Sequence, residues 1–239
     1  MKSFKEFILI FLIILKSQFL FSEEKKCNII CKSIIGLSFS FALDEKLREE
    51  NLNFSNSFKE RTIKIFEPLG RRSFGFYLSS VSLFLGFTKK DKNYNFLALE
   101  LIEANLISDL SSNLLQKGFG RIRPQKSGGD SHLFFKGGNS FPSSHSIHSW
   151  AWASVLSFKY PKYKYYLFSL SSLVSLSRVL EDKHWLSDVV FGSIVGYAIG
   201  KFTYKFNEEK TNFFIFPFYE KKSFKILISL KCPALHPFR

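Results

Sequence analysis

The sequence predicts an all-α fold, a bundle of five or six helices followed by a short β-prone C-terminal tail. Long segments carry apolar residues at the three- and four-residue spacing of a packed helix. Proline, glycine and clustered charges separate these segments, as is typical of helix ends. Apolar residues make up 46% of the 239 residues, and this content excludes an intrinsically disordered chain.

The first 22 residues are typical of an exported protein. A basic start precedes an apolar run from Phe7 to Leu15, and Ser22 is followed by charged residues. This order predicts a secretory signal peptide. An uncleaved amphipathic anchor is the alternative, since the run is shorter than the ~20 residues that span a bilayer. We therefore expect the rest of the chain outside the cytoplasm.

Residues 23–72 are predicted to form a polar N-terminal segment, with exposed helix or loop from 44 to 68. Residues 73–206 are predicted to form one helical domain. Its helices are predicted at 73–88, 96–117, 144–159, 163–180 and 185–204.

The last predicted helix has glycines at four-residue spacing, Gly192, Gly196 and Gly200. Small residues at this spacing allow a neighbouring helix backbone to approach closely. Residues 207–239 form a basic tail with two β-prone runs, 213–218 and 224–230, which are candidates for a short hairpin.

The charge balance is strongly basic. There are 34 Lys and Arg against 20 Asp and Glu, so the net charge is +14. No nucleic-acid recognition motif accompanies this charge, and we expect an anionic lipid surface or a phosphorylated substrate instead. The three cysteines, Cys27, Cys31 and Cys232, are too few for a disulfide scaffold and lack the spacing of a zinc site. One disulfide bridge among them is left open.

Three short segments carry residues suited to phosphate chemistry. Residues 120–124 read Gly-Arg-Ile-Arg-Pro at the exit of a predicted helix, and residues 141–145 read Phe-Pro-Ser-Ser-His at the entry of the next. Residues 177–188 begin with Ser-Arg, contain His184 and end at Asp188. The segments hold three arginines, whose planar forks bind phosphate well.

The other residue types in these segments suit phosphoryl transfer. Ser143 and Ser144 are suited to capping a helix, and the free N–H groups at a helix start bind anions. His184 and Asp188 lie four residues apart, so a carboxylate on the same helix face can fix the imidazole tautomer. A histidine held in this way can attack phosphorus, and His145 can protonate the leaving oxygen.

This arrangement resembles the three-part signature of the type 2 phosphatidic acid phosphatase superfamily, which includes bacterial acid phosphatases, glucose-6-phosphatase and vanadium haloperoxidases. The family pattern is Lys-x6-Arg-Pro, Pro-Ser-Gly-His and Ser-Arg-x5-His-x3-Asp. The third part matches in full at residues 177–188. Ser144 replaces the glycine of the second part. Gln116 stands where the first part has its lysine, with Lys117 beside it.

The resemblance implies the helical fold of that family and a metal-independent phosphatase of the bacterial cell envelope. His184 would form a phosphohistidine, Asp188 would orient it, and His145 would act as acid and then base. The implied phosphate ligands are Arg123, Arg178, Ser143, Ser144 and either Lys117 or Gln116. No metal or other cofactor is expected, and vanadate is expected only as an inhibitor that mimics phosphate.

The motifs leave the leaving group and the oligomeric state open. We favour a phosphorylated lipid at the outer face of the membrane, because the apolar helices have basic flanks. The alternatives are a soluble periplasmic acid phosphatase of broad specificity, a vanadate-dependent haloperoxidase, and a catalytically inactive envelope scaffold. The last of these is motivated by Gln116 and Ser144.

Other charged residues adjoin the three segments. Arg121 is predicted to lie beside the site or at its entrance rather than to bind phosphate directly. Glu181 and Asp182 would repel an anionic substrate, so we expect both to face solvent.

Overall fold

The structure, a computed structural model, describes residues 26–53, 57–209, 214–220 and 223–229. Within these ranges it has seven α-helices, where the sequence predicted five or six. They are α1 (Lys26–Leu52), α2 (Ser57–Phe66), α3 (Arg72–Lys89), α4 (Lys92–Phe119), α5 (Ser144–Lys159), α6 (Lys164–Leu180) and α7 (Leu186–Glu209). The predicted signal peptide or anchor, residues 1–22, and the cysteine side chains lie outside the described part of the chain.

Helix α2 and the last turns of α1 come from residues 44–68, which were predicted to be exposed helix or loop. That prediction is wrong for Asp44 and Leu47, which are 1% and 2% exposed. Leu47 joins an apolar cluster with residues of α6 and α7, and Asp44 is paired with a buried arginine. A polar stretch becomes buried here because its partner charges come from distant parts of the chain.

The five helices predicted within 73–206 are confirmed. Helix α5 has the predicted bounds, and the other four differ only at their ends. Helix α4 starts earlier than predicted because Asp91 caps it, accepting a hydrogen bond from the Asn93 N–H at 2.9 Å. It ends at Gly120, whose φ of 52° is a left-handed conformation that glycine adopts without strain.

Helix α5 lies at the centre of the bundle and contacts α3, α4, α6 and α7. Most of its residues are buried, so it is apolar or small on every side, as a central helix must be. Trp150 of α5 stacks on Phe168 of α6 with 5.2 Å between ring centroids. Leu97 and Leu101 of α4 and Ile199 of α7 complete this core.

The glycines of α7 bring its backbone against α5. A Cβ on Gly192 would lie 2.8 Å from the Ser143 carbonyl oxygen, and one on Gly196 would lie 2.3 Å from that of Ile147. Gly200 has the same relation to Ala151, at 2.4 Å. Any side chain at these positions would force the helices apart, so the predicted close approach is confirmed.

The tail contains strands β1 (Phe214–Glu220) and β2 (Ser223–Ser229), which pair antiparallel with Phe214 opposite Ser229. The predicted hairpin is therefore present. Across the ranges that the structure describes, no helix is both long and apolar enough to cross a bilayer.

Candidate active site

The three sequence segments meet at the start of α5. The loop after α4 brings residues 120–124, α5 begins with Ser144, and the turn between α6 and α7 carries His184. The Ser143 N–H donates to the Asp188 carbonyl oxygen at 3.1 Å, which ties the start of α5 to the first turn of α7. The fold thus joins the second and third segments directly.

His184 is buried, and two acceptors lie near its Nδ1. The Ser140 carbonyl oxygen is 2.8 Å away and the Asp188 Oδ2 is 3.5 Å away. Because a carbonyl only accepts, this hydrogen bond requires a proton on Nδ1 and leaves the Nε2 lone pair free. Burial, together with the positive charges of Arg178 and Arg123, holds the pKa of His184 below its ordinary value although Asp188 opposes this. The neutral imidazole is therefore the favoured form.

Asp188 is fully buried and holds several neighbours at once. Its Oδ2 accepts hydrogen bonds from the Ser140 hydroxyl at 2.5 Å and from the Trp185 N–H at 2.9 Å. Its Oδ1 accepts from Arg121 at 2.6 Å. Burial alone would raise the pKa of Asp188, but hydrogen bonds from His184 and Ser140 and the charge of Arg121 outweigh it and hold the pKa low. Asp188 stays ionised and fixes Ser140, which in turn fixes His184.

Arg121 lies behind Asp188 and does not reach the phosphate side of the site, as predicted. It is fully buried and pairs with Asp188 at 2.6 Å and with Asp44 at 2.7 Å. Asp44 also accepts hydrogen bonds from the Ser187 N–H at 2.8 Å and the Ser187 hydroxyl at 2.5 Å. Burial raises the pKa of Asp44 to about 6, although Arg121 and Ser187 act to lower it.

Two buried donors beside His184 have no hydrogen-bond partner. They are the Ser143 hydroxyl and the Arg178 Nε, both from the sequence segments predicted to bind phosphate. Ser143 is the N-cap of α5, yet its side chain makes no capping bond. The N–H groups of the first turn of α5, which include Ser144 and His145, have no carbonyl to bind within the helix. Together these groups form a candidate anion-binding site.

Arg123 lies at the edge of this candidate anion-binding site. It is half-buried, and its Nε donates to the Asn139 Oδ1 at 2.9 Å. It also lines an open cavity of about 460 Å³, together with Lys126 and Gly138. The charges of Asp188 and Glu181 raise the pKa of Arg123 against the larger lowering by burial, so Arg123 lies within electrostatic reach of the site.

His145, in the first turn of α5, has a carboxylate partner that the sequence did not reveal. Its Nε2 lies 3.0 Å from Oε1 of Glu67, in the 3₁₀ turn between α2 and α3. Burial, and after it the positive charge of Arg178, lower the pKa of His145 to about 3, while Glu67 opposes them. A nearby dianion would act in the same direction as Glu67 and raise that pKa.

The prediction that Glu181 and Asp182 both face solvent is wrong. Glu181 is half-buried and accepts a short hydrogen bond from Arg178, and Asp182 forms a 3.0 Å ion pair with Arg48 of α1. Glu67 lies 3.6 Å from the same Arg178 guanidinium. The repulsion expected from these carboxylates is offset because each has a cation as its neighbour.

Gln116, rather than Lys117, faces the loop before α5. Its Nε2 donates to the Pro142 carbonyl oxygen at 2.9 Å, while Lys117 is exposed. Helix α4 continues regularly to Phe119, so no local unwinding turns Lys117 toward the site. The structure therefore brings seven of the nine predicted residues, or their backbone, to one place, joins Gln116 to it through Pro142, and leaves Lys117 outside.

His148, one turn beyond His145, is enclosed by other groups. Its Nδ1 lies 2.7 Å from Asn105 Oδ1 and its Nε2 lies 3.2 Å from Asp109. Both ring nitrogens are occupied, which fits a structural histidine. In the part of the chain that the structure describes, no group of three or more His, Cys, Asp or Glu could hold a metal ion. The absence of a cofactor stays a prediction.

Comparisons with known proteins found similarity to one superfamily. The family model of the PAP2 superfamily matches residues 97–212. A PA-phosphatase related-family protein from Dictyostelium discoideum is 32% identical over 148 residues, which cover 52% of this chain and 55% of that protein. The lipid A 1-phosphatase of Porphyromonas gingivalis is 24% identical over 178 residues, which cover 69% of this chain and 35% of that protein. The chain thus spans about half of one curated relative and about a third of the other.

A solved structure is similar over nearly all of its length. It is the crystal structure of a transmembrane PAP2 type phosphatidylglycerolphosphate phosphatase from Bacillus subtilis, with a TM-score of 0.57 and 20% sequence identity. The similarity covers 88% of this chain and 98% of that one. At this identity the likeness shows the fold.

Proposed function

Because this chain belongs to the PAP2 superfamily, we propose that it is a metal-independent phosphatase that hydrolyses a phosphomonoester or diphosphate of a lipid through a phosphohistidine intermediate. One observation carries the proposal. Two of the buried donors without partners, the Ser143 hydroxyl and the Arg178 Nε, belong to the phosphate-binding part of the family signature and lie beside a neutral, oriented His184.

The first chemical step uses the free Nε2 of His184. Ser143, Arg178 and Arg123 would hold the non-bridging phosphoryl oxygens, as arginine forks and hydroxyls do. The Nε2 lone pair forms the N–P bond while the bond from phosphorus to the leaving oxygen breaks with its electron pair. A proton from His145 goes to that oxygen.

The second step releases phosphate. His145, now neutral, takes a proton from a water molecule, whose oxygen forms a bond to phosphorus as the N–P bond breaks. The electron pair returns to His184 Nε2. The products are the leaving-group alcohol or phosphate and inorganic phosphate. Asp188, held ionised by Arg121 and Ser140, stabilises the positive charge that the His184 ring carries in between.

The low pKa of His145, about 3, means that the free enzyme carries little of the protonated form at neutral pH. A phosphoryl dianion beside His145 favours the charged imidazolium, so the proton required for the leaving group arrives with the substrate. Glu67 at 3.0 Å helps to keep that proton on His145.

A lipid is the proposed substrate class for two reasons. The relatives include a lipid A 1-phosphatase, and the similar solved structure is a phosphatidylglycerolphosphate phosphatase. On this chain, α3 and α4 pack together and leave large apolar side chains exposed. They are Tyr77, Val81, Phe84, Phe87, Leu106, Leu110 and Leu114. Such a surface, on a chain of net charge +14, suits contact with anionic lipid. With the predicted export signal, we propose that the site faces the outside of the cytoplasm.

Phosphate release by the full-length protein tests the proposal. The substrates are phosphatidic acid, a polyprenyl diphosphate and a soluble aryl phosphate, each with a chelator present. His184→Ala is compared with His132→Ala, which removes an exposed histidine of the loop after α4. We expect chelator-resistant release from the lipids that is lost in His184→Ala and retained in His132→Ala.

The other outcomes are equally distinct. Preference for the aryl phosphate would indicate a soluble substrate with the same chemistry. Release that persists in His184→Ala would contradict the phosphohistidine mechanism. No release from any substrate would favour the inactive scaffold.

A further inference from the structure

Asp44 lies on α1, far in sequence from the three segments, yet it reaches the back of the site. It is 1% exposed, and its Oδ2 lies 2.7 Å from Arg121, which in turn lies 2.6 Å from Asp188. Asp44 also precedes the part of the chain that matches the family model, residues 97–212. We propose that Asp44 is a positioning residue for His184 and acts on it through Arg121 and Asp188. This inference rests on the proposed function.

The first argument is geometric. Arg121 has five N–H donors, and all five have acceptors. Nε and one NH2 hydrogen go to the Ser131 carbonyl oxygen, the other NH2 hydrogen goes to Asp44, and the NH1 hydrogens go to Ser187 and Asp188. A saturated guanidinium has one orientation available to it. Asp44 supplies one of the two charged contacts that fix this orientation, so it fixes the position of Asp188 Oδ1.

The second argument concerns charge. Arg121 is shared between two buried carboxylates, so ionised Asp44 offsets the charge of Arg121 and leaves the charge of Asp188 to face His184. If Asp44 is neutral, the full charge of Arg121 falls on Asp188. Less net negative charge then faces the ring when His184 becomes positive during transfer. Asp44 therefore favours the charged intermediate without touching the phosphate.

Other charged groups also face this network. Arg48, one turn further along α1, pairs with Asp182 at the end of α6. Glu45 accepts hydrogen bonds from Ser131 at 2.9 and 3.0 Å. Among the charged groups that face Asp44, Arg121 is the one that links Asp44 to Asp188.

Ionisation of Asp44 gives a test that a purely structural role does not. Burial raises the pKa of Asp44 to about 6. Above that pH Asp44 is charged and supports His184, and as the pH falls through that value the support is lost. The wild-type kcat should therefore fall on the acid side near pH 6. This acid limb of the pH profile should be absent in Asp44→Asn, whose kcat should be low at every pH.

Two further variants sharpen the test. Ser187→Ala removes a hydrogen bond that lowers the pKa of Asp44, so the acid limb should move to higher pH. Because Ser187→Ala leaves every charge in place, it also serves if Asp44→Asn does not fold. Asp182→Asn is the matched control. This variant removes a carboxylate that is paired with Arg48 of α1. Asp182 has a left-handed φ of 57°, which Asn tolerates. The variant should leave the acid-side fall of kcat unchanged.

We expect Asp44→Asn to lower kcat by about 10- to 100-fold, as small displacements behind a reacting group do, with KM changed by less than about twofold. The KM should hold because the proposed phosphate ligands are untouched. An acid limb that persists in Asp44→Asn, or that moves equally in Asp182→Asn, would overturn the inference.

A measurement that does not need catalytic turnover, the titration of His184, tests this inference separately from the proposed function. In ¹⁵N-histidine-labelled protein, the pKa of His184 should be lower in Asp44→Asn than in wild type and unchanged in Asp182→Asn. If the wild type released no phosphate, the proposed function would fail while this titration still decided the role of Asp44. Equal His184 titrations in all three proteins would refute it.

Discussion

His184 has two sides, and they differ in how completely their polar groups are paired. Behind it, Asp188, Arg121 and Asp44 are fully buried, and every N–H of the guanidinium has an acceptor. In front of it, the Ser143 hydroxyl and the Arg178 Nε are buried without any partner. Each side contains an arginine with two carboxylate neighbours, and the two sides differ in the pairing of their polar groups and in the burial of those carboxylates.

This difference indicates what each side does. A buried polar group without a partner costs about 1–3 kcal/mol, so two such donors beside His184 are well placed to gain a partner when an anion binds. A saturated network holds its members in one arrangement. The back of the site therefore provides rigidity, and the front provides binding. Each prediction below tests one side against the other, from the largest expected effect to the smallest.

The largest effect is expected at the back. In Arg121→Gln, two buried carboxylates, Asp44 and Asp188, lose the cation between them. Breaking a buried ion pair in this way costs about 3–5 kcal/mol of unfolding free energy. Urea unfolding should show this loss. The loss should shrink at mildly acidic pH, because without Arg121 the pKa of Asp44 rises further and its protonation relieves the repulsion.

The comparison variant for Arg121→Gln is Arg178→Gln, at the front. Its carboxylate neighbours, Glu181 and Glu67, are half-buried and can be hydrated. We expect it to lose much less stability than Arg121→Gln while losing most phosphatase activity. Equal stability losses in the two variants would mean that the two sides do not differ as described.

Ser143→Ala is expected to weaken phosphate binding without lowering stability, and this effect is smaller than that of Arg121→Gln. Removing an unpaired buried hydroxyl should leave the unfolding free energy unchanged or raise it by up to about 1 kcal/mol. The inhibition constant of inorganic phosphate should rise about tenfold, because one charge-assisted hydrogen bond is lost. Phosphate inhibition and urea unfolding measure the two quantities on the same protein.

Ser146→Ala is the matched control for Ser143→Ala on the same helix. Its hydroxyl accepts a hydrogen bond from Ser175 at 3.0 Å, so its loss should cost stability and leave phosphate inhibition unchanged. A Ser143→Ala protein that was destabilised and bound phosphate normally would contradict an anion site at the start of α5.

The parts of the site that have local signals could largely be predicted from sequence. Ser143 and Ser144 follow a proline and open a helix, so α5 was predicted with its observed bounds. His184 and Asp188 are four residues apart, and the glycines of α7 repeat at the same spacing. A helical period converts each of these spacings into a shared face.

The long-range contacts on both sides of the site could not be predicted. Asp44 and Arg121 are 77 residues apart, and Glu67 and His145 are 78 apart. No periodicity links such pairs, and a run of charged residues such as 44–50 is typical of a solvated surface. Ser140 was missed for a different reason: its contact with His184 is made by its carbonyl oxygen, which every residue type has.

The smallest expected effect concerns Gln116, where the family pattern has lysine. The Gln116 amide donates to the Pro142 carbonyl oxygen at 2.9 Å, so it supports the loop that leads into Ser143 without adding charge. In Gln116→Lys the side chain is half-buried, so the positive charge of its ammonium would attract the phosphate with partial screening by solvent. We expect phosphate inhibition to strengthen about two- to fivefold at low ionic strength, which corresponds to the roughly 0.5–1 kcal/mol of a partly exposed ion pair, and the gain should vanish at high salt. Lys117→Gln is the control, since Lys117 is exposed, and it should change nothing. If Lys117→Gln weakened phosphate inhibition while Gln116→Lys had no effect, the exposed lysine would be the ligand, and α4 would have to rotate at its end when phosphate binds.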